Sequence, residues 1–139
     1  MTTDYLTRGM TEYPVSLPSS ETTMQRIAIH HIYEYEKGIR CMVLCTLELE
    51  ELALIQRKLE GRGIAYFTQP TPKQTKINLF FGRKECVDMI SYFLQDKYLH
   101  ELNAEQDFIL GSLLGYDLCG QCARYQKRMQ LIGQEGTIA

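Results

Sequence analysis

The sequence has no tryptophan, no excess of either charge and no long apolar run. Its longest uninterrupted apolar segment, Cys41-Met42-Val43-Leu44-Cys45, has five residues, whereas a membrane-spanning helix needs about 20. The N-terminus lacks the basic-then-apolar pattern of a secretory signal, so a cytoplasmic protein without membrane contact is expected. Fifteen Lys and Arg stand against 17 Asp and Glu, a balance that makes nucleic acid an unfavoured partner. Gly-rich phosphate loops, paired carboxylates and Ser/His/Asp spacings are missing too, so nothing points to a cofactor and more speaks against an enzyme than for one. The cysteines number five, an odd set without secretory context, which reads as reduced, largely buried thiols.

What is present fits one globular domain: 139 residues, 45% of them hydrophobic. Residues 1–23, rich in Ser, Thr and Pro and without periodicity, read as a mobile tail; translation from Met24 would still yield the whole patterned domain. Residues 24–132 form the domain and 133–139 a flexible C-terminal tail. The β-branched and aromatic run Gln25 to Tyr35, the loop Glu36-Lys37-Gly38 and the run Ile39 to Leu47 predict a β-hairpin, with Tyr35 facing Ile39 and Glu34 facing Arg40. A helix follows from Glu48 to Gly61, with Leu49, Leu52, Ile55 and Leu59 at helical spacing and Gly61 as its stop. Strands at 64–68 and 76–81 and a helix at 83–96 complete a ββαββα order. The expected fold class is α+β, a two-layer sandwich with both helices on one face of a mainly antiparallel sheet. Asn103 and Gln106 form a capping box for a helix at 104–114, and Asp117 caps a last helix through about Leu131; together they make a C-terminal αα-hairpin.

Three sets of residues could carry function. The first is basic: Arg62, Lys73, Lys76, Arg83 and Lys84 lie in a stretch without acidic residues, and Gly82-Arg83-Lys84 sits at a strand-to-helix turn where free amides favour an anion. The second is a possible thiol and histidine site. In the hairpin register His31 faces Val43, diagonal to Cys41 and Cys45, and Cys119-Gly120-Gln121-Cys122 spaces two thiols near a helix start. That pair follows a helix and not a strand, and two further ligands would be needed for zinc, so packing is the favoured reading and no metal is expected. The third is a dimer interface. Ile32, Met42, Leu44 and Phe80 fall on the minor sheet face, opposite the face assigned to the helices, and an uncovered apolar face predicts a homodimer.

The runs Ile29 to Glu34, Ile77 to Gly82 and Asp107 to Asp117, then Gln121-Cys122 and Arg124-Tyr125, resemble a small bacterial family, the domain-of-unknown-function family numbered two-thousand-and-twenty-three. The resemblance spans residues 25–128 and is most specific from Asp107 to Tyr125; Cys119 lies outside its pattern. It implies a small homodimeric α/β protein with no assigned activity and a flavodoxin encoded nearby. Combined with the basic set, this gives the expected function: a non-enzymatic homodimeric interaction module docking an acidic partner of flavodoxin type. The alternatives are a small-molecule or thiol-dependent enzyme using His31 and a cysteine, and a helix-turn-helix DNA binder presenting Arg124, Lys127 and Arg128.

Overall fold

The computed structural model describes the backbone of residues 20–138 and side chains through residue 133. The first element is α1, Thr23–Glu36. The expected strand at 25–35 is therefore a helix, and two local signals account for it. Thr22 and Gln25 form a capping box, the Thr22 hydroxyl accepting from the Gln25 amide at 3.1 Å and the Gln25 side chain accepting from the Thr22 amide at 2.9 Å. At the other end Gly38, with φ of +81°, is the left-handed residue that closes the helix: its amide donates to Tyr35 O and that of Ile39 to Glu34 O, each at 3.0 Å. The residue read as a hairpin turn is a helix stop.

The remaining elements are β1, Met42–Leu47; α2, Leu49–Gly61; β2, Ala65–Pro70; β3, Ile77–Gly82; α3, Lys84–Phe93; a 3₁₀ turn at Leu99–Glu101; α4, Ala104–Leu113; and α5, Leu118–Ile138. The ββαββα expectation thus becomes αβαββα before the helical hairpin. α2 closes at Gly63 in the manner of Gly38, two residues beyond the expected stop, and α5 continues past Leu131. The capping boxes expected of Asn103 and the cap expected of Asp117 are formed, with Gln106 N to Asn103 Oδ1 at 2.8 Å and Gly120 N to Asp117 Oδ2 at 2.7 Å.

The three strands pair antiparallel in the order β1-β3-β2. Consequently β1 and β2 run parallel to each other, joined by α2 across one face, and β3 fills the gap between them. Side chains alternate across this sheet. Val43, Cys45, Leu47, Leu79 and Phe81 pack with Ala28 and Ile32 of α1 and Leu52, Ile55 and Leu59 of α2. Met42 and Phe80 pack on the opposite face with Val87 and Ile90 of α3, Leu94 at its C-terminal cap, and Leu110 and Leu114 around α4. The sheet is the middle of three layers, not the outside of two. A central strand covered on both sides should read as a continuous apolar run, and Leu79-Phe80-Phe81, all fully buried, does. Where β3 turns into α3, a Cβ at Gly82 would lie 2.7 Å from Met42 Cα, and its φ of +149° is also one that only glycine tolerates.

Candidate functional site

The five cations expected to form one basic edge are divided by the strand register. Ala65 and Met42 both pair with Gly82, which places Arg62, Arg83 and Lys84 at one end of the sheet. Pro70 pairs with Ile77, which places Lys73 and Lys76 at the other end, about 20 Å away along six-residue strands. Most of these charges are also matched by carboxylates: Arg62 with Glu36 at 2.7 Å, Lys76 with Glu48 at 3.7 Å, Arg83 with Glu85 at 3.8 Å and Lys84 with Asp88 at 2.7 Å. Only Lys73 of the set has no acidic partner among the described residues. The Asp88 carboxylate hydrogen-bonded to Lys84 raises the pKa of that ammonium. Two of these partners, Glu36 for Arg62 and Glu48 for Lys76, come from other elements and are not legible in the sequence, whereas Glu85 and Asp88 are local.

The thiols and the histidine are not gathered into one site. His31 lies on a helix, so its expected place opposite Val43 falls away; its Nδ1 lies 2.9 Å from Glu34 Oε1, an oxygen that also accepts from Arg40 Nε at 3.0 Å. These two hydrogen bonds lower the Glu34 pKa. The Glu34–Arg40 pair expected across a hairpin is therefore real, but it joins a helix to the segment before β1. Arg40 also donates to Leu114 O at 3.1 Å, and the Cys41 thiol to Leu113 O at 3.2 Å, fastening the end of α4 around the edge of β1. Cys45 is buried in the α1/α2 core, where desolvation pushes its thiol to about 11. A thiol raised this far by burial stays protonated at neutral pH and is a poor nucleophile. Cys119 and Cys122 are exposed on α5. Among the described residues no group of three or more His, Cys, Asp or Glu side chains could hold a metal ion, and no helix is long and apolar enough to cross a membrane.

Three of the four residues expected at the dimer interface are already covered within the chain. Ile32 belongs to the α1/α2 core; Met42 and Phe80 belong to the α3/α4 core, and Leu44 is half-buried beside them. Their apolar face meets α3 and α4 in place of a second subunit.

An uncovered apolar surface lies on the helical hairpin. Gly111 of α4 approaches Gln121 of α5 so closely that a Cβ would collide with the glutamine amide, which donates to Phe108 O at 3.2 Å. Phe108 and Tyr125 meet edge to face with centroids 6.0 Å apart. Asp107 takes Arg124 at 2.9 Å and Arg128 at 3.6 Å, so both arginines turn toward α4 and are not presented as a DNA-reading face would require. Alongside runs a largely apolar groove of about 480 Å³ lined by Phe108, Ile109, Cys122 and Tyr125, with Glu105 and Gln126 at its border. α5 has 21 residues against 10 in α4, so much of it extends past its partner. The stripe expected to pack inward is open to solvent: Leu118 is 60%, Met129 39% and Ile132 51% exposed.

The profile of a family described as a protein of unknown function, DUF2023, matches residues 26–128. The chain belongs to that family. The DUF2023 match takes in every element from α1 through the first half of α5 and stops just short of Met129 and Ile132. No curated protein matches the chain.

Proposed function

We propose that this DUF2023 protein is a non-enzymatic interaction module that works as a homodimer, its subunits meeting through α5 and the adjoining edge of α4. The observation that carries this reading is the exposed stripe Leu118, Cys122, Met129 and Ile132, with half-buried Tyr125 among them, on a helix longer than the partner it packs against. Charge placement supports a second copy as the occupant. Each residue advances about 100° around a helix, so Arg124 and Arg128 lie toward α4 and Lys127 on the back. The arc of α5 from Ile132 through Leu118 to Cys119, Gln126 and Ala123 carries no charge, and the carboxylate of Glu105 on the bordering edge of α4 accepts a hydrogen bond from the Tyr125 hydroxyl at 2.6 Å. A two-fold axis brings a surface against itself, and an uncharged surface meets its copy without repulsion. Leu118, Met129 and Ile132 are already partly covered in the single chain, so burying what remains exposed contributes about half, or less, of the ~1.5–3 kcal/mol of a full burial for each, before the cost of association.

Docking of an acidic, flavodoxin-type partner draws less support, because the cations it would use are divided between two ends of the sheet and largely matched by carboxylates. Sedimentation equilibrium tests the main reading. The full chain should give about twice its 16.1 kDa mass, and Met129→Asp/Ile132→Asp should give a folded monomer, since neither side chain supports the core. A monomeric wild-type chain at micromolar concentration would refute the proposal, as would a variant that stays dimeric.

A further inference from the structure

A cavity of about 380 Å³ opens between the C-terminal end of α1 and the start of α3, lined by Tyr35, Glu36, Gly38, Arg40, Cys41 and Arg83. Two of these residues are arginines from separate segments, and the sheet brings them together. The Arg83 amide donates to Cys41 O at 2.9 Å, which extends the β1–β3 register one pair beyond Met42 and Gly82, and Arg40 is the next residue outward on the β1 side.

The two arginines are held differently. Arg40 is half-buried and fixed by two hydrogen bonds, from Nε to Glu34 Oε1 at 3.0 Å and from Nη1 to Leu114 O at 3.1 Å. A guanidinium has five N–H donors, so three remain. The Arg83 side chain is 63% exposed, and its acidic partner Glu85 lies 3.8 Å away, too far for a hydrogen bond. Glu36, the carboxylate in the lining, is already matched by Arg62 at 2.7 Å. One arginine is thus set rigidly in the wall, and the other is free to close on a ligand.

We infer that this cavity binds a small phosphate monoester, its phosphoryl group between Arg40 and Arg83 and its organic part against Tyr35. The donors select the class. Arginine presents a planar fork matched to phosphate oxygens, and a phosphate monoester carries about −1.5 to −2 charges at pH 7 and three acceptor oxygens, enough for two forks at once. A carboxylate has one charge and two oxygens, which a single fork satisfies. The volume falls within the roughly 300–1,000 Å³ of small-molecule sites, so there is room for the organic part. Tyr35, packed against the α1/α2 core, gives that part a fixed apolar wall. No residue of α5 lines the cavity, so binding here does not depend on the dimer.

The test titrates phenyl phosphate calorimetrically into the full chain at constant ionic strength, with inorganic phosphate and benzoate as comparisons. Phenyl phosphate should bind once per chain and more tightly than either. Arg83→Gln replaces a side chain that makes no hydrogen bond among the described residues, so it should keep the fold and weaken binding about tenfold or more, the loss expected of charge-assisted hydrogen bonds. Lys73→Gln, at the other end of the sheet, should leave binding unchanged. Saturating phenyl phosphate should also slow the alkylation of Cys41, in the cavity wall, and not that of Cys119 on α5. Each of four results would overturn the inference: no saturable binding at millimolar phenyl phosphate, undiminished affinity in Arg83→Gln, inorganic phosphate or benzoate binding as tightly, or Cys41 alkylated at the same rate with and without the probe.

Discussion

β3 and α5 carry comparably apolar side chains and stand in opposite surroundings. Leu79, Phe80 and Phe81 are fully buried because α1 and α2 cover one face of the sheet and α3 and α4 the other. Leu118, Met129 and Ile132 are open to solvent because α4 meets only one side of α5 and is half its length. Burial here follows from what the chain can bring to each surface, and hydrophobicity alone does not determine it. In the sheet, apolar residues hold one molecule together; on α5, in the reading proposed above, they are left for a second molecule.

Substitutions in the two regions should accordingly separate stability from assembly. The largest loss is expected at Phe80, which stacks on Phe67 with centroids 4.5 Å apart and is completely covered. Phe80→Ala should destabilise the fold by about 3–5 kcal/mol in urea unfolding, through lost transfer energy and the cavity left behind. Gly111→Ala comes next. It drives a methyl into the Gln121 amide and threatens that residue's bond to Phe108 O, so about 1–3 kcal/mol should be lost, most of it from the hairpin. Asn103→Ala removes the cap of α4 and should cost about 1 kcal/mol, read in the same titration.

A smaller effect should appear only in acid. Bonds from His31 and Arg40 hold the Glu34 pKa below its ordinary value, so as pH falls the unfolded chain takes up that proton before the folded chain does. Its contribution is therefore complete above the ordinary carboxylate range and disappears as pH drops through the lowered value. Glu34→Gln should flatten the decline of Tm between about pH 5 and about pH 3, with little further change toward neutrality. An equally steep acid limb in the variant would show that the cluster joining α1 to Arg40 adds no pH-dependent stability.

How much of this was legible depended on the range of each interaction. α2, α4 and the start of α5 were readable because their caps and periodicity are local. The alternation of β1 was also readable, with Met42 and Leu44 separated from Val43, Cys45 and Leu47 as observed. α1 was misread since Ile27, Ile29, Ile32 and the tyrosines favour a strand by side-chain type. The overriding signals were Thr22 with Gln25 at one end and Gly38 at the other, with Gln25, Ala28 and Ile32 buried at helical spacing. The burial of Ile32, Met42 and Phe80 within the chain was hidden for a longer-range reason. Apolar residues on both faces of β1 admit two solutions, a second subunit or helices on each side. The choice rests on α2 and α3 flanking opposite faces, which no local pattern encodes. The candidate surface on α5 was visible as a stripe, while its exposure follows from the unequal lengths of two helices that pack together. The neutralised cations were equally hidden, because Arg62 finds Glu36 and Lys76 finds Glu48 only after folding.

The central claim, that the uncovered side of α5 is where a second copy sits, is most directly tested at Cys122, which lies on the stripe and is exposed in the single chain. Its alkylation rate, followed by peptide mass spectrometry across protein concentrations spanning monomer and dimer, should fall as the dimer forms and stay constant in Met129→Asp/Ile132→Asp. A wild-type rate that does not change while the sedimenting mass doubles would place the interface elsewhere and contradict the account.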